Sequence, residues 1–187
     1  MSWAMQSVLL TNYFKSENEF KNIITAGHSR YGKTALLAAA YSDNIDGVIS
    51  HQSGTAGASL FRDKPGETLA DIVNGYPHWL AKSAMTFVEQ TNTLPNDQHH
   101  LLALIAPRPV LLGNAKRDVW SDPEGAFRAA KEASGIYELY NTAGLQQERL
   151  DKFNPASDLS FWLRSGTHGI VEEDWPAFID FLNAHFK

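Results

Sequence analysis

Short continuous apolar runs alternate along this chain with stretches whose apolar residues recur every three or four positions. Met5, Val8, Leu9 and Tyr13 carry helical spacing through a first amphipathic helix over 3–16. Residues 22–26 read as a buried strand, followed by a helix over 33–41. A second strand, 45–50, leads into a glycine-bearing loop over 51–66. Helical spacing resumes over 67–89, with Pro77 as an interruption. A short helix over 97–105 passes through Pro107 and Pro109 into a strand at 110–114. Asp122 is placed to cap a helix over 122–134, with Pro123 at its first helical position. Residues 136–158 are polar and irregular and predict a long surface connection. A strand at 159–164 precedes a last helix whose Trp175, Phe178, Ile179, Leu182 and Phe186 form one apolar face.

Strands alternating with helices build βαβ units, so the predicted class is α/β, a mainly parallel sheet of about four strands flanked by helices. At 187 residues the chain is long enough for one domain with a sizeable core. A formal net charge of −5 without a basic face argues against nucleic acid or an anionic membrane as partner. The absence of cysteine excludes disulfides, thiol catalysis and cysteine-bound zinc. No apolar run approaches the roughly 20 residues of a membrane span. The opening residues lack the basic start and continuous apolar stretch of a signal peptide.

Gly27-His28-Ser29-Arg30-Tyr31-Gly32-Lys33-Thr34 fits two different machines. As G-x-x-x-x-G-K-T it is a phosphate-cradling loop, with Lys33 on the β/γ oxygens and Thr34 on magnesium. As a serine on a tight strand-to-helix turn it is a nucleophile elbow. His28, Ser29, Arg30 and Tyr31 are bulky for a loop that closes around an anion. A nucleotide hydrolase also needs an acid at the end of a second strand; the 45–50 strand runs into Ser50-His51-Gln52, and the 110–114 strand reaches an acid only at Asp118.

A serine hydroxyl needs a histidine to take its proton and an acid to orient that histidine. In α/β-hydrolases the three follow in the order Ser, acid, His, each past the carboxyl end of a strand. Ser29, Asp118 and His168 satisfy both the order and the placement. The usual glycine two residues after the serine is replaced by Tyr31, with Gly32 one further on. Plainer readings stand beside this one. Ser29 could be a helix cap, Asp122 is a cap rather than the acid, and His168 could be a solvated loop residue. His99 and His100 point about 100° apart on a helix and do not make a metal pair. Trp79, Trp162 and Trp175 read as core residues, whereas Trp120 falls on the same sheet edge as Asp118.

The chain resembles carbohydrate esterase family 15, the glucuronoyl esterases, whose elbow reads Gly-x-Ser-Arg-x-Gly-Lys. Gly27, Ser29, Arg30, Gly32 and Lys33 reproduce it, displaced glycine included. The resemblance continues through Gln52-Ser53-Gly54-Thr55-Ala56-Gly57, Tyr76-Pro77-His78-Trp79 and Asp97-Gln98-His99. It extends through Leu104-Ile105-Ala106-Pro107-Arg108-Pro109-Val110-Leu111 and Asp118-Val119-Trp120 to Gly166-Thr167-His168. It implies cleavage, without metal or cofactor, of the ester between (4-O-methyl-)glucuronic acid on xylan and a lignin alcohol. It also implies a secreted or periplasmic protein. Ser29 would then be the nucleophile, His168 the base, and Arg30 an added oxyanion donor. Lys33 and Trp120 match positions that touch the uronic sugar, and Glu67 matches another more loosely. Some members carry a glutamate where this chain has Gln52; others, mostly bacterial, use an aspartate in the place of Asp118, which is the acid expected here.

In that fold the nucleophile follows a later strand of a larger sheet. Residues 1–28 provide one helix and one strand, so the resemblance implies that residues 1–187 are the C-terminal portion of one α/β-hydrolase domain. Its N-terminal strands would be a missing partner, and the 22–26 strand an open apolar edge. Two other functions remain on this reading: a P-loop nucleotide hydrolase, or an inactive esterase fragment that retains saccharide binding.

Overall fold

A computed structural model describes residues 2–187. Four parallel strands form one sheet in the order β1 (Ile24–His28), β2 (Gly47–His51), β3 (Val110–Ala115), β4 (Leu159–Arg164). Six α-helices accompany them: α1 (Ser2–Glu17), α2 (Arg30–Tyr41), α3 (Leu69–Gly75), α4 (Gln98–Ala103), α5 (Pro123–Leu139) and α6 (Asp174–His185). The predicted fold class is the one observed, a parallel sheet with helices on both faces and part of an α/β-hydrolase fold.

Strand side chains alternate between two cores, as a period of two requires. Val110, Leu112, Leu159 and Phe161 meet α1, α2, α4 and α5 on one face. Ile49 and Leu111 meet Phe178 and Phe181 of α6 on the other. β2 and β3 are buried along their whole length, which explains their continuous apolar runs. β1 pairs with β2 alone among the described residues and exposes Ala26, so the expected open edge is present. Arg108 fastens β3 to the end of α2: its guanidinium donates to the carbonyls of Ala39, Ser42 and Ile45.

Several expected elements differ in extent. β1 lies two residues later than the pattern predicts, because the strand runs through Gly27 and His28 up to the elbow serine. α2 accordingly starts at Arg30 instead of Lys33. The helical spacing over 67–89 yields only α3, closed at its start by the Thr68–Asp71 capping box, and then short 3-10 turns after Pro77. α5 continues to Leu139, and Tyr137 is fully buried with its hydroxyl donating to the Arg108 carbonyl, so the polar connection begins later than expected. In α1 the packed residues are Ala4, Val8 and Thr11, while Met5, Leu9 and Tyr13 are exposed. In α6 the buried residues include Ala177, Phe178 and Phe181; Trp175 and Ile179 face outward, against the expected apolar face.

Candidate active site

Ser29 directly follows β1 with φ 57° and ψ −125°, a conformation that a non-glycine residue adopts only under constraint. Close packing supplies that constraint. A Cβ on Gly27 would stand 2.2 Å from the Tyr31 carbonyl oxygen, so glycine is required two residues before the serine. Gly32 is packed less tightly: a Cβ there would stand 3.0 Å from the Gly27 oxygen and from Ser53 Cβ, which favours a glycine at that position. The Ser29 amide donates to the His51 carbonyl at 2.8 Å, anchoring the turn on β2. The Ser29 side chain makes no capping hydrogen bond to α2, so the plain cap reading does not describe it.

Asp118 follows β3 and is 5% exposed; its carboxylate accepts from the Ser121 amide in a single 3-10 turn. His168 follows β4, half-exposed, with Nδ1 2.7 Å from Asp118 Oδ2 and 3.3 Å from Ser121 Oγ. Parallel strands bring their carboxyl ends to one edge, so residues far apart in sequence meet there. Asp122 caps α5 by accepting from the Gly125 amide at 2.8 Å, and takes no part in this contact.

The 165–169 loop that carries His168 is held from two sides. Arg164 is buried against Asp174 and donates to the carbonyls of Ser165, Thr167 and Gly169. The Gln52 amide donates to the Thr167 carbonyl and accepts from the Gly169 amide. Sequence reasoning saw in Gln52 only a lost charge. It sits directly after β2 with a φ of 47°.

A pocket of about 370 Å³ is lined by Ser29, Asp118 and His168 together with Arg30, Lys33, Glu67 and Trp120, so every expected site residue reaches one concavity. Lys33 Nζ donates to the carbonyls of Ser53 and Thr55 at 2.6 and 2.7 Å and lies 3.8 Å from Glu67. Burial pulls the Lys33 pKa down to about 8, opposed by Glu67, and burial pushes the Glu67 carboxyl up. Glu67 reaches this place because Gly66 packs against the backbone of 119–120, where a Cβ would stand 2.2 Å from the Val119 oxygen. Arg30 is exposed, its guanidinium 5.3 Å from the Tyr31 ring centre. Trp79 is not a core residue: it stacks on Tyr76 at 4.1 Å and both line the pocket. Trp162 is half-buried and donates its indole N–H to Asp174.

This geometry does not favour a nucleotide site. The Lys33 ammonium is committed to two carbonyls beside Glu67, and Thr34 donates back to the Arg30 carbonyl.

Residues 1–141 match the family model for glucuronyl esterase, fungi. A carbohydrate esterase of an unknown prokaryotic organism is 37% identical over 98% of this chain and 44% of its own length. A 4-O-methyl-glucuronoyl methylesterase of Wolfiporia cocos is 30% identical over 62% of this chain and 30% of its own. Among solved structures, a family 15 glucuronoyl esterase from Teredinibacter turnerae superposes with a TM-score of 0.91 at 31% identity, over 99% of this chain and 46% of that one. A family 15 esterase described as promiscuous, from a marine bacterial metagenome, superposes with a TM-score of 0.93 at 36% identity, over 98% of this chain and 47% of that one. The chain thus spans about half the length of these two solved relatives. With a family model covering residues 1–141 and backbones that superpose along nearly its whole length, the chain belongs to the glucuronoyl esterases, carbohydrate esterase family 15.

Proposed function

We propose that this chain carries the machinery of a serine carboxylic ester hydrolase acting on esters of (4-O-methyl-)glucuronic acid. The observation that supports it most is the bond between His168 Nδ1 and Asp118, on the rim of the pocket that Ser29 also lines. With Nδ1 bound to the acid, Nε2 is the nitrogen left to take the Ser29 proton. The Ser29 oxygen then adds to the ester carbonyl. The developing oxyanion meets the Arg30 backbone N–H at the start of α2 and, on this reading, its guanidinium. Collapse breaks the ester C–O bond and the alcohol leaves with the proton held on Nε2. Water, deprotonated by the same nitrogen, hydrolyses the acyl-enzyme and restores Ser29. Lys33 and Glu67 offer hydrogen bonds to the sugar hydroxyls, and Trp120 a ring face.

The substrate class and the family fit a secreted or periplasmic bacterial enzyme of lignocellulose breakdown, working on glucuronoxylan esters. Among the described residues no helix is long and apolar enough to cross a membrane. We further read the chain as the C-terminal portion of one hydrolase domain, because the β1 edge is open and the relatives are about twice as long. Their remaining length would pair with β1 and offer a second oxyanion N–H.

Hydrolysis of methyl glucuronate tests the reading. The expected result is turnover that Ser29→Ala abolishes; turnover unchanged by that substitution contradicts it.

A further inference from the structure

Behind His168 a line of polar groups runs into the core, unused by the reaction above. The His28 ring packs on His168 with centroids 4.6 Å apart. Parallel pairing places His28 opposite His51, and their Nδ1 atoms are 3.0 Å apart. His51 is 1% exposed, and its Nε2 lies 3.2 Å from Asp174 Oδ1, an ion-pair distance without the geometry of a hydrogen bond. Gly113, its partner in β3, leaves room for the ring: a Cβ there would be 2.4 Å from His51 Cδ2. Asp174 is fully buried and accepts from Arg164, the Trp162 indole and the Val171 amide.

Hydrogen-bond chemistry orders the protons. A carboxylate accepts only, so the His51 nitrogen facing Asp174 carries the hydrogen. A neutral imidazole has a single N–H, so His51 Nδ1 must accept and His28 Nδ1 must donate. We propose that Asp174 and His51 fix His28 as its Nδ1–H tautomer, so that an uncharged ring face stays against His168 where the reaction creates an imidazolium. His28 and His51 are positioning residues, acting through His168. A charged His28 would repel that cation, whereas a neutral one does not.

The surroundings disfavour charge on both rings. His28 is faced by His168 and Asp118 from the site and by Asp174 and Arg164 from behind, and burial acts first in lowering its pKa, followed by His168. His51 is faced by Asp174, Arg164, His28 and the edge of the Phe178 ring; burial pulls it down to about 4 against the pull of Asp174.

The inference rests on the base role of His168 but is read out without turnover. Long-range nitrogen-15 NMR on the histidines, followed between about pH 8 and about pH 5, reports tautomer and charge for each ring. Expected are Nδ1–H on His28 and Nε2–H on His51, each as a single neutral tautomer at about pH 8. An Nε2–H His28, or a His28 without a single tautomer, overturns it. In a folded His51→Asn variant His28 should lose its single tautomer. On a glucuronate ester that variant's kcat should drop about 3- to 10-fold at unchanged KM. An unchanged His28 tautomer in that variant means the pair merely fills space. If Ser29 proves unreactive while the tautomers are as expected, the esterase reading fails and the proton order stands.

Discussion

Gln52 Oε1 accepts the Gly169 amide at 2.8 Å, while Nε2 of the same side chain donates to the Thr167 carbonyl at 3.2 Å. One amide therefore brackets His168 on both sides, using a donor and an acceptor that a carboxylate could not supply together.

Gln52→Glu keeps the size but loses the donor, setting a carboxylate oxygen against the Thr167 carbonyl. We expect kcat to fall about tenfold and KM to change little, since a misplaced base weakens the transition state more than the ground state. Gln52→Ala should cost less than loss of the acid. Steady-state kinetics on a glucuronate ester measures both; a Gln52→Glu enzyme of native kcat refutes the bracket.

Asp118→Asn should leave the melting temperature close to native and lower kcat by about 10³- to 10⁴-fold, because the amide presents the wrong partner to Nδ1. A folded Asp118→Asn protein with near-native rate removes Asp118 from the mechanism.

Lys33 carries opposite signs for binding and for stability. Below pH about 8 its ammonium can donate to a sugar hydroxyl; above it the charge is lost, so KM should rise as pH passes that value. The folded-state pKa is depressed, so the unfolded chain binds the extra proton between pH about 8 and the ordinary lysine range. Stability from this group therefore increases with pH over that window. A KM flat from pH 7 to pH 9, roughly one unit either side of that value, would count against Lys33 as a sugar contact.

Gly27→Ala puts a methyl 2.2 Å from the Tyr31 oxygen, a backbone atom that cannot swing away. Destabilisation of about 3 kcal/mol or more is expected in denaturant unfolding. A mild effect would mean that the elbow is looser than its packing indicates.

The order of elements was legible in the sequence because βαβ units write themselves as alternating periodicities, and the site because strand ends must converge. Ser29, Asp118 and His168 lie at such strand ends, and the choice of Asp118 as the acid rests on the family resemblance as well. What escaped notice depended on partners remote in sequence. Tyr137 looks like loop composition until its hydroxyl finds Arg108; Trp175 keeps helical spacing yet faces outward because Phe178 and Phe181 already fill the groove. Trp79 reads as core by its apolar neighbours, whereas Tyr76 turns it toward the pocket. His28 and His51 become a pair only through the β1–β2 register.

The account stands most directly on whether Ser29 is an activated nucleophile. Treating the folded chain with a fluorophosphonate and locating the adduct by peptide mass spectrometry measures this. One adduct on the peptide containing Ser29, absent in Ser29→Ala and strongly slowed in His168→Ala, is the predicted result; a folded protein left unmodified at Ser29 would contradict it.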